Sequence, residues 1–141
     1  MRATHPTANI WGDGKVGVGS KVGAFCDIGG KVGKDCKIQC HVSIPPGVII
    51  EDNVFVGPGA RFANDKHPGA TDEWEQKETV ICKGASIGMG ALIGAGLTIG
   101  EDAVIGMGAV VTKDVPAGET WVGNPAKMID RKQPSFGADE L

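Results

Sequence analysis

Residues 81–111 read ICKGASIGMGALIGAGLTIGEDAVIGMGAVV, and an aliphatic residue stands at every sixth position of this stretch. These positions are Ile81, Ile87, Ile93, Ile99, Ile105 and Val111. An α-helix repeats every ~3.6 residues and a strand every ~2 residues, so neither explains a six-residue spacing. A short strand followed by a turn does explain it, provided that copies of the unit stack and bury their apolar sides together.

The same spacing occurs in two earlier segments. One frame comprises Ile10, Val16, Val22 and Ile28, and the other comprises Val32, Ile38, Ile44, Ile50, Val56 and Phe62. We call each six-residue unit of strand and turn a hexad. Three hexads close one triangular coil, and coils stacked about 4.8 Å apart pair their backbone N–H and C=O groups. We call the sixteen aliphatic residues at these positions the anchors. They predict an all-β chain, folded as a parallel β-helix of about five coils. This helix is expected to form one domain over 1–141.

The other positions of the hexad support this prediction. The residue after the anchor is often glycine, and we expect these glycines to supply the positive φ of tight corners. They are residues 17, 23, 33, 57, 88, 94, 100 and 106. The fourth residue after the anchor is small or aliphatic, which suits the corners of a narrow core. Flat outer faces favour lateral association of such a helix, most simply as a trimer.

Two interruptions break the six-residue spacing. Ile28 and Val32 are only four residues apart, which predicts one shortened corner. Residues 63–80 lack hexads altogether, and they are polar and acidic, with a proline and a tryptophan. We predict that 63–80 is a loop extruded from the helix and that 117–141 forms a C-terminal arm. Loops on rigid scaffolds concentrate functional groups, so we expect the active site at this loop.

Composition excludes several kinds of partner. The net charge of −3 and the absence of a basic stripe argue against nucleic acid and anionic membranes. The N-terminal residues include neither an apolar signal core nor a membrane span, which predicts a cytoplasmic protein. Four cysteines without a C-x-x-C motif make a thiolate metal site unexpected.

Three passages resemble a known family, the left-handed β-helix hexapeptide-repeat acyltransferases. They are HPTANI from residue 5, EDNVFVGPGARFANDKHP from residue 51, and GMGAVVTKDVPAGETWVGNPAKMI from residue 106. The resemblance extends over residues 5 to 132. It implies a left-handed helix, a homotrimer with active sites between subunits, and acetyl-CoA as the acyl donor without a metal.

Within that family two subgroups are similar to the chain. KIQCHVSI, NVFVGPG, FANDKHP and GNPAK are closest to the nucleotide-linked amino-sugar N-acetyltransferases, although Cys40 and His41 replace the asparagines usual there. The DKHP motif is also similar to the maltose and galactoside O-acetyltransferases, in which the histidine before proline is the catalytic base. The expected activity is acetyl transfer to the amino group of a nucleotide-linked amino sugar, with sugar O-acetylation as the alternative.

The proposed chemistry also follows from residue types in the loop. Transfer from a thioester requires loss of the acceptor's proton and stabilisation of a tetrahedral oxyanion. His67 is the candidate base, since an imidazole with a pKa of about 6.5 suits that role near neutral pH. Asn64 and Asp65 are candidates to orient the imidazole or to hold the acceptor, although Asn-Asp is also a turn signal.

Further residues are candidates for binding substrate and cofactor. His41 is expected to point outward, as a substrate contact or a subunit contact, and Trp74 is expected to contact substrate by stacking. The pantetheine arm of acetyl-CoA is thin and amide-bearing, so small residues would let it approach a backbone edge. The candidates for that edge are Gly88, Gly94, Gly106, Gly108 and Ala109. The family resemblance places phosphate and adenine contacts at Lys113 and Lys127.

Two other classes of protein share this architecture. A metalloenzyme of the γ-carbonic anhydrase type needs three histidine ligands, two of them close in sequence. This chain has only His5, His41 and His67, which are far apart. A non-catalytic β-helix scaffold is the remaining alternative, and the GNPAK arm and the histidine-bearing loop argue against it.

Overall fold

A computed structural model describes residues 3–130, and these residues form a triangular parallel β-helix without any α-helix. Its three faces are named A, B and C. Face A comprises β3 (Lys21–Val22), β6 (Lys37–Ile38), β9 (Phe55–Val56), β12 (Ser86–Ile87), β15 (Val104–Ile105), β17 (Thr120–Gly123) and β18 (Ala126–Ile129). Face B comprises β1 (Asn9–Ile10), β4 (Asp27–Ile28), β7 (Ser43–Ile44), β10 (Arg61–Phe62), β13 (Leu92–Ile93) and β16 (Val110–Val111). Face C comprises β2 (Lys15–Val16), β5 (Lys31–Val32), β8 (Val48–Ile50), β11 (Thr79–Ile81) and β14 (Thr98–Ile99).

The chain visits the faces in the order A, B, C, and the bends between them are the A–B, B–C and C–A corners. Each anchor pairs in parallel with the anchor of the next coil, as Ile10 does with Ile28 eighteen residues later. The spacing between Ile28 and Ile44 is sixteen, which locates the shortened corner at Gly29 and Gly30. Between Phe62 and Ile93 it is thirty-one, because the extruded loop lies inside that coil.

The coil count exceeds the prediction. Face B has six paired strands, so the helix makes six turns rather than about five. The ends of the extra turn depart from the pattern of aliphatic residues: Thr4 bridges to Val22 at one end, and Val115 bridges to Ile99 at the other. Because Thr4 is not aliphatic and Val115 follows Val111 by four residues, hexad counting missed both.

The predicted anchors form the core. All of them from Val22 to Val111 are buried, together with the small residues at the fourth position of each hexad. Ile10 is 41% exposed because the N-terminal coil has no further coil beneath it. A single file of side chains stacked along the axis thus supplies the hydrophobic stabilisation of the helix.

The role predicted for the glycines after the anchors is wrong. Positive φ occurs two positions later in the hexad, for example at Gly19 rather than at Gly17. Gly17 is needed because a Cβ there would lie 2.5 Å from the carbonyl carbon and oxygen of Gly33. These glycines therefore allow close stacking of neighbouring coils, whereas the left-handed corner residue is a separate feature.

The C-terminal arm begins as part of the helix. β17 pairs in parallel with β15, and β18 then turns back to pair antiparallel with β17. The resulting hairpin ends face A. Residues 131–141 of the predicted arm lie outside the described residues.

Candidate active site

The extruded loop leaves the B–C corner of the fourth coil. It joins Phe62 to Thr79, so the strand resumes two residues before the predicted end of the loop at 80. The two ends of the loop are held together, since Lys77 N donates to Asn64 O at 2.8 Å and Asp65 forms an antiparallel bridge with Gln76.

Asn64 anchors the loop to the helix. Its side-chain Nδ2 donates to the carbonyl oxygen of Pro46 on the coil below at 2.8 Å. This contact is partly buried and uses the amide group that was expected to orient the imidazole or to hold the acceptor. In this structure Asn64 therefore positions the loop.

His67 lies exposed on the loop. Asp65 Oδ1 accepts a hydrogen bond from the backbone N–H of His67 at 3.0 Å, so this carboxylate stabilises the turn. The imidazole itself has no hydrogen-bond partner within residues 3–130. An imidazole that faces solvent in this way remains available for proton transfer with a substrate that covers it.

The loop encloses a cavity of about 350 Å³. Its lining residues are Asp65, Lys66, His67, Glu73, Trp74, Glu75 and Lys77. Trp74 is 50% exposed, and its ring offers a flat apolar wall beside His67. Lys77 Nζ lies 3.0 Å from Glu75 Oε1 on another side of the same cavity. The structure thus brings together His67, Asp65 and Trp74, in a space suited to a small polar molecule.

A second concave surface lies on face A beside the A–B corner. This apolar groove has a volume of about 400 Å³. It is lined by Phe55, Ser86, Ile87, Gly88, Met89, Val104, Ile105, Gly106 and Met107. The backbones pack tightly here, because a Cβ on Gly88 would lie 2.5 Å from the N atom of Met107. The groove thus offers a mostly apolar surface across three neighbouring strands of face A.

The predicted cofactor residues fall into separate places. Gly88 and Gly106 line the groove, and Gly108 lies at the A–B corner with a φ of 69°. Ala109 is buried in the core, so its side chain does not reach the surface. Lys113 follows β16 at the B–C corner, whereas Lys127 lies on β18 at the end of face A.

His41 lies at the A–B corner, away from the loop. Its backbone φ is 60°, and its ring stacks on Phe25 with the centroids 5.3 Å apart and an interplanar angle of 26°. Phe25 was missed by the sequence analysis, as were Met89 and Met107 in the groove. Each is a large apolar residue at a corner position, where hexads otherwise carry small or polar residues, and that departure was the available signal.

The loop and the groove belong to different corners of the triangular cross-section. His67 projects from the B–C corner, while Gly88 and Gly106 border the A–B corner. Face B separates the two corners within one chain.

The cysteines are reduced and differ in exposure. Cys26 and Cys36 are buried, and burial raises the pKa of both thiols. Burial, with the nearby carboxylates of Glu51 and Glu101, also raises the pKa of the Cys82 thiol. These three cysteines therefore carry protonated, weakly nucleophilic thiols at neutral pH.

Over the described part of the chain, no three His, Cys, Asp or Glu residues cluster as metal ligands. No helix within residues 3–130 has the length and apolar character needed to cross a membrane.

Comparisons with known proteins agree with this fold. A solved structure of a hexapeptide-repeat acetyltransferase from Vibrio cholerae O1 biovar eltor, complexed with acetyl coenzyme A, is 28% identical with a TM-score of 0.72. The match covers 82% of this chain and 69% of that one. Perosamine N-acetyltransferase from Caulobacter crescentus, in complex with CoA and GDP-perosamine, has a TM-score of 0.77. It is 24% identical over 91% of this chain and 56% of that one, a likeness that concerns the fold alone.

A curated relative gives a partial match. The bifunctional protein GlmU of Rubrobacter xylanophilus is 39% identical over 112 residues, which is 79% of this chain. The chain spans only 22% of the length of that relative. The family model described as bacterial transferase hexapeptide (six repeats) matches residues 29–64 and 78–113, which is about half of the chain, on either side of the loop. The chain therefore belongs to the bacterial hexapeptide-repeat transferase family.

Proposed function

We propose that this protein transfers an acetyl group from acetyl-CoA to the amino group of a nucleotide-linked amino sugar. The observation that carries the proposal is the apolar groove beside Gly88 and Gly106, in a chain whose family and fold are shared with an acetyltransferase complexed with acetyl coenzyme A. The amino-sugar acceptor is supported by the resemblance of the KIQCHVSI and GNPAK passages.

The donor is proposed to lie along face A. The groove runs across three neighbouring strands, β9, β12 and β15, and its mostly apolar lining would contact the pantetheine arm. Lys127, on the hairpin that ends this face, would contact a phosphate of CoA as a point charge. Lys113 lies at the B–C corner, so in an assembly it would serve the groove of a neighbouring copy.

The proposed reaction is direct transfer. The lone pair of the acceptor amine attacks the thioester carbonyl carbon and forms the new C–N bond, while the carbonyl oxygen becomes an oxyanion. Collapse of this intermediate breaks the C–S bond and releases the CoA thiolate. His67 takes the proton that the amine loses and returns it to the thiolate, so that the imidazole is neutral again. Trp74 would hold the acceptor within the loop cavity.

The proposed active assembly is a homotrimer with its active sites between subunits. Support comes from the separation of His67 and the groove on different corners, because only a second copy brings a loop to a groove. The exposed apolar side chains along the same face, including Met89 at 56% and Met107 at 52%, would be covered in such an assembly. The proposed compartment is the cytoplasm, which suits four free cysteines.

Sugar O-acetylation remains the second candidate, and one observation favours it. The unpartnered imidazole of His67 in a DKHP sequence would suit a hydroxyl acceptor, which has to lose its proton for attack. An amine with a lowered pKa needs less assistance from a base. Turnover with an amino sugar or with a simple sugar therefore separates the two candidates.

The deciding experiment measures release of CoA from acetyl-CoA with a panel of nucleotide-linked amino sugars and simple sugars. We expect turnover with an amino sugar, and a loss of about 10²-fold in kcat for His67→Ala with unchanged affinity for CoA. Full turnover by His67→Ala at saturating amino sugar would remove this residue from the mechanism. Absence of CoA binding by the wild-type protein would overturn the acetyltransferase proposal itself.

A further inference from the structure

Two lysines on face A are direct neighbours without a compensating charge. Lys21 of β3 pairs in register with Lys37 of β6, and both side chains are exposed. Like charges directly opposite each other on adjacent strands destabilise a sheet. Neither lysine forms an ion pair or a side-chain hydrogen bond with any residue in the range 3–130.

A matched pair on face C shows the contrast. Lys15 and Lys31 are cross-strand neighbours in the same way, but Lys31 Nζ donates to the carbonyl oxygen of Asp13. The hollow beside Lys31 is also lined by acidic residues, which are Glu51, Asp52 and Glu101. The hollow of about 320 Å³ around Lys21 and Lys37 has no carboxylate in its lining, and His5 lies at its edge. The positive charge on face A is therefore left for an anion from outside the described chain.

An exposed aromatic pair lies at the A–B corner, next along the chain from the hollow. Phe25 and His41 each follow one of the two lysines by four residues, and their rings stack on each other. Phe25 comes two residues after Gly23 and His41 one residue after Cys40, both of which line the hollow. Phe25 is 61% exposed.

The backbone of this pair is unusual. Phe25 and His41 have φ values of 58° and 60°, in the left-handed region, which histidine adopts more readily than phenylalanine does. In later coils the same corner position is occupied by Gly59, Gly90 and Gly108, so glycine meets the need of the fold there. Backbone strain of this kind persists where a side chain has a binding role. The pair thus presents a rigid aromatic platform that the fold itself does not require.

We propose that Lys21, Lys37, Phe25 and His41 bind the nucleoside diphosphate portion of the acceptor. The diphosphate oxygens would lie between the two ammonium groups, and the base would stack on the exposed ring of Phe25. Lysine binds phosphate as a point charge, and every nucleobase has a π-face that can stack on an aromatic ring. This inference rests on the proposed function, since it assigns the nucleotide of the sugar-nucleotide acceptor to a place on the same face.

The placement fits an acceptor that meets the donor. β9 lies next to β6 on face A, and its Phe55 lines the apolar groove proposed for acetyl-CoA. The nucleotide subsite and the donor groove are thus end to end along one face. A sugar attached to the diphosphate would lie between them, near the junction of the two ligands.

The test is calorimetric titration of the full-length protein, without CoA, with UDP, dTDP, GDP and inorganic pyrophosphate. We expect saturable binding of at least one nucleoside diphosphate that weakens as salt is raised. Lys21→Gln/Lys37→Gln should reduce this affinity about tenfold or more, whereas the control Lys15→Gln/Lys31→Gln should leave it unchanged. Phe25→Leu should weaken the nucleoside diphosphate about tenfold without changing the affinity for pyrophosphate.

Thermal unfolding of each variant shows whether it remains folded. Two results would overturn the assignment of this surface as a nucleotide subsite. One is a protein that binds CoA but none of the nucleoside diphosphates. Another is unchanged nucleotide affinity in the folded Lys21→Gln/Lys37→Gln variant. If that variant changes only the self-association of the protein, this surface is a subunit contact. Nucleotide binding without CoA binding would support the subsite while removing the acetyltransferase proposal, so the two failures are distinguishable.

Discussion

At the scale of single residues, two positions of the hexad limit which residue types the helix accepts. The glycine after each anchor lies against the backbone of the next coil, as Gly17 lies against Gly33. The third residue after the anchor adopts positive φ and is glycine, asparagine or aspartate at most corners, for example Asn53. The space between coils limits the size of the residue at the first position. The backbone conformation limits the type of residue at the second position. Substitutions at the two positions are therefore expected to fail for different reasons.

Gly17→Ala should destabilise the helix, because its Cβ would lie 2.5 Å from the Gly33 carbonyl group. Overpacking of this kind costs about 1–3 kcal/mol. The control is Gly94→Ala, where the closest atom would be Val111 O at 3.2 Å. Denaturant unfolding of both variants measures the difference. Equal destabilisation by the two substitutions would contradict this account of coil stacking.

The buried thiols predict a stability that falls at alkaline pH. Burial raises the pKa of Cys26 and Cys36 in the folded state, so the unfolded chain loses these protons first. The contribution is fully present below about pH 8.5, the ordinary thiol pKa, and decreases as the pH rises towards the raised values. Unfolding temperatures measured between about pH 8 and pH 10 should therefore fall for the wild type. The decline should be shallower for Cys26→Ala/Cys36→Ala, and an identical slope would refute this linkage.

At the scale of elements, the loop is an insertion between β10 and β11 whose two ends are tied to the helix. Lys77 N donates to Asn64 O within the loop, and the Asn64 side chain donates to Pro46 on the preceding coil. On the other side, Thr79 Oγ1 accepts a hydrogen bond from Gly96 N at 2.9 Å. These contacts connect the loop to coils on both sides of it. The position of His67 therefore depends on the helix as well as on the loop.

Asn64→Ala should loosen the loop without unfolding the helix. Loss of one partly buried hydrogen bond costs about 1 kcal/mol, which corresponds to a roughly fivefold larger open population of the loop. Limited proteolysis with trypsin should then cut after Lys66 faster by about that factor. Asn9→Ala is the control, since it removes an amide hydrogen bond of 3.2 Å to Asp27 on the exposed face B. Accelerated cleavage in the control as well would point to a general loss of stability instead.

At the scale of the whole molecule, the residues proposed for the active site lie at two different corners of one chain. The B–C corner carries His67 and Trp74, and face A carries the groove with Gly88 and Gly106. A rigid β-helix cannot bend to bring two corners together, because its coils are stacked in continuous register. The proposed homotrimer would bring the loop of one copy to the groove of another.

Sedimentation at micromolar concentration should therefore show three chains of 14.5 kDa in the particle. The shared site can be tested by mixing two variants that are inactive alone, His67→Ala and Met107→Glu, after joint refolding. Met107→Glu places a charge in the apolar groove. Random assembly should restore about a quarter of the wild-type activity, since one site in four then combines an intact loop with an intact groove. No recovery from folded, mixed trimers would rule out a site shared between subunits.

The sequence by itself determined the fold and the family. The hexad spacing through residues 81–111 requires a stacked helix of coils, and the interruption after Phe62 located the loop, because both depend only on the order of residues along the chain. Only the tertiary structure decided which candidates are neighbours. It joined His67 to Trp74, placed Lys113 at another corner from the groove, and paired Lys21 with Lys37. These contacts link residues many positions apart, and they depend on the face and the coil that each residue occupies.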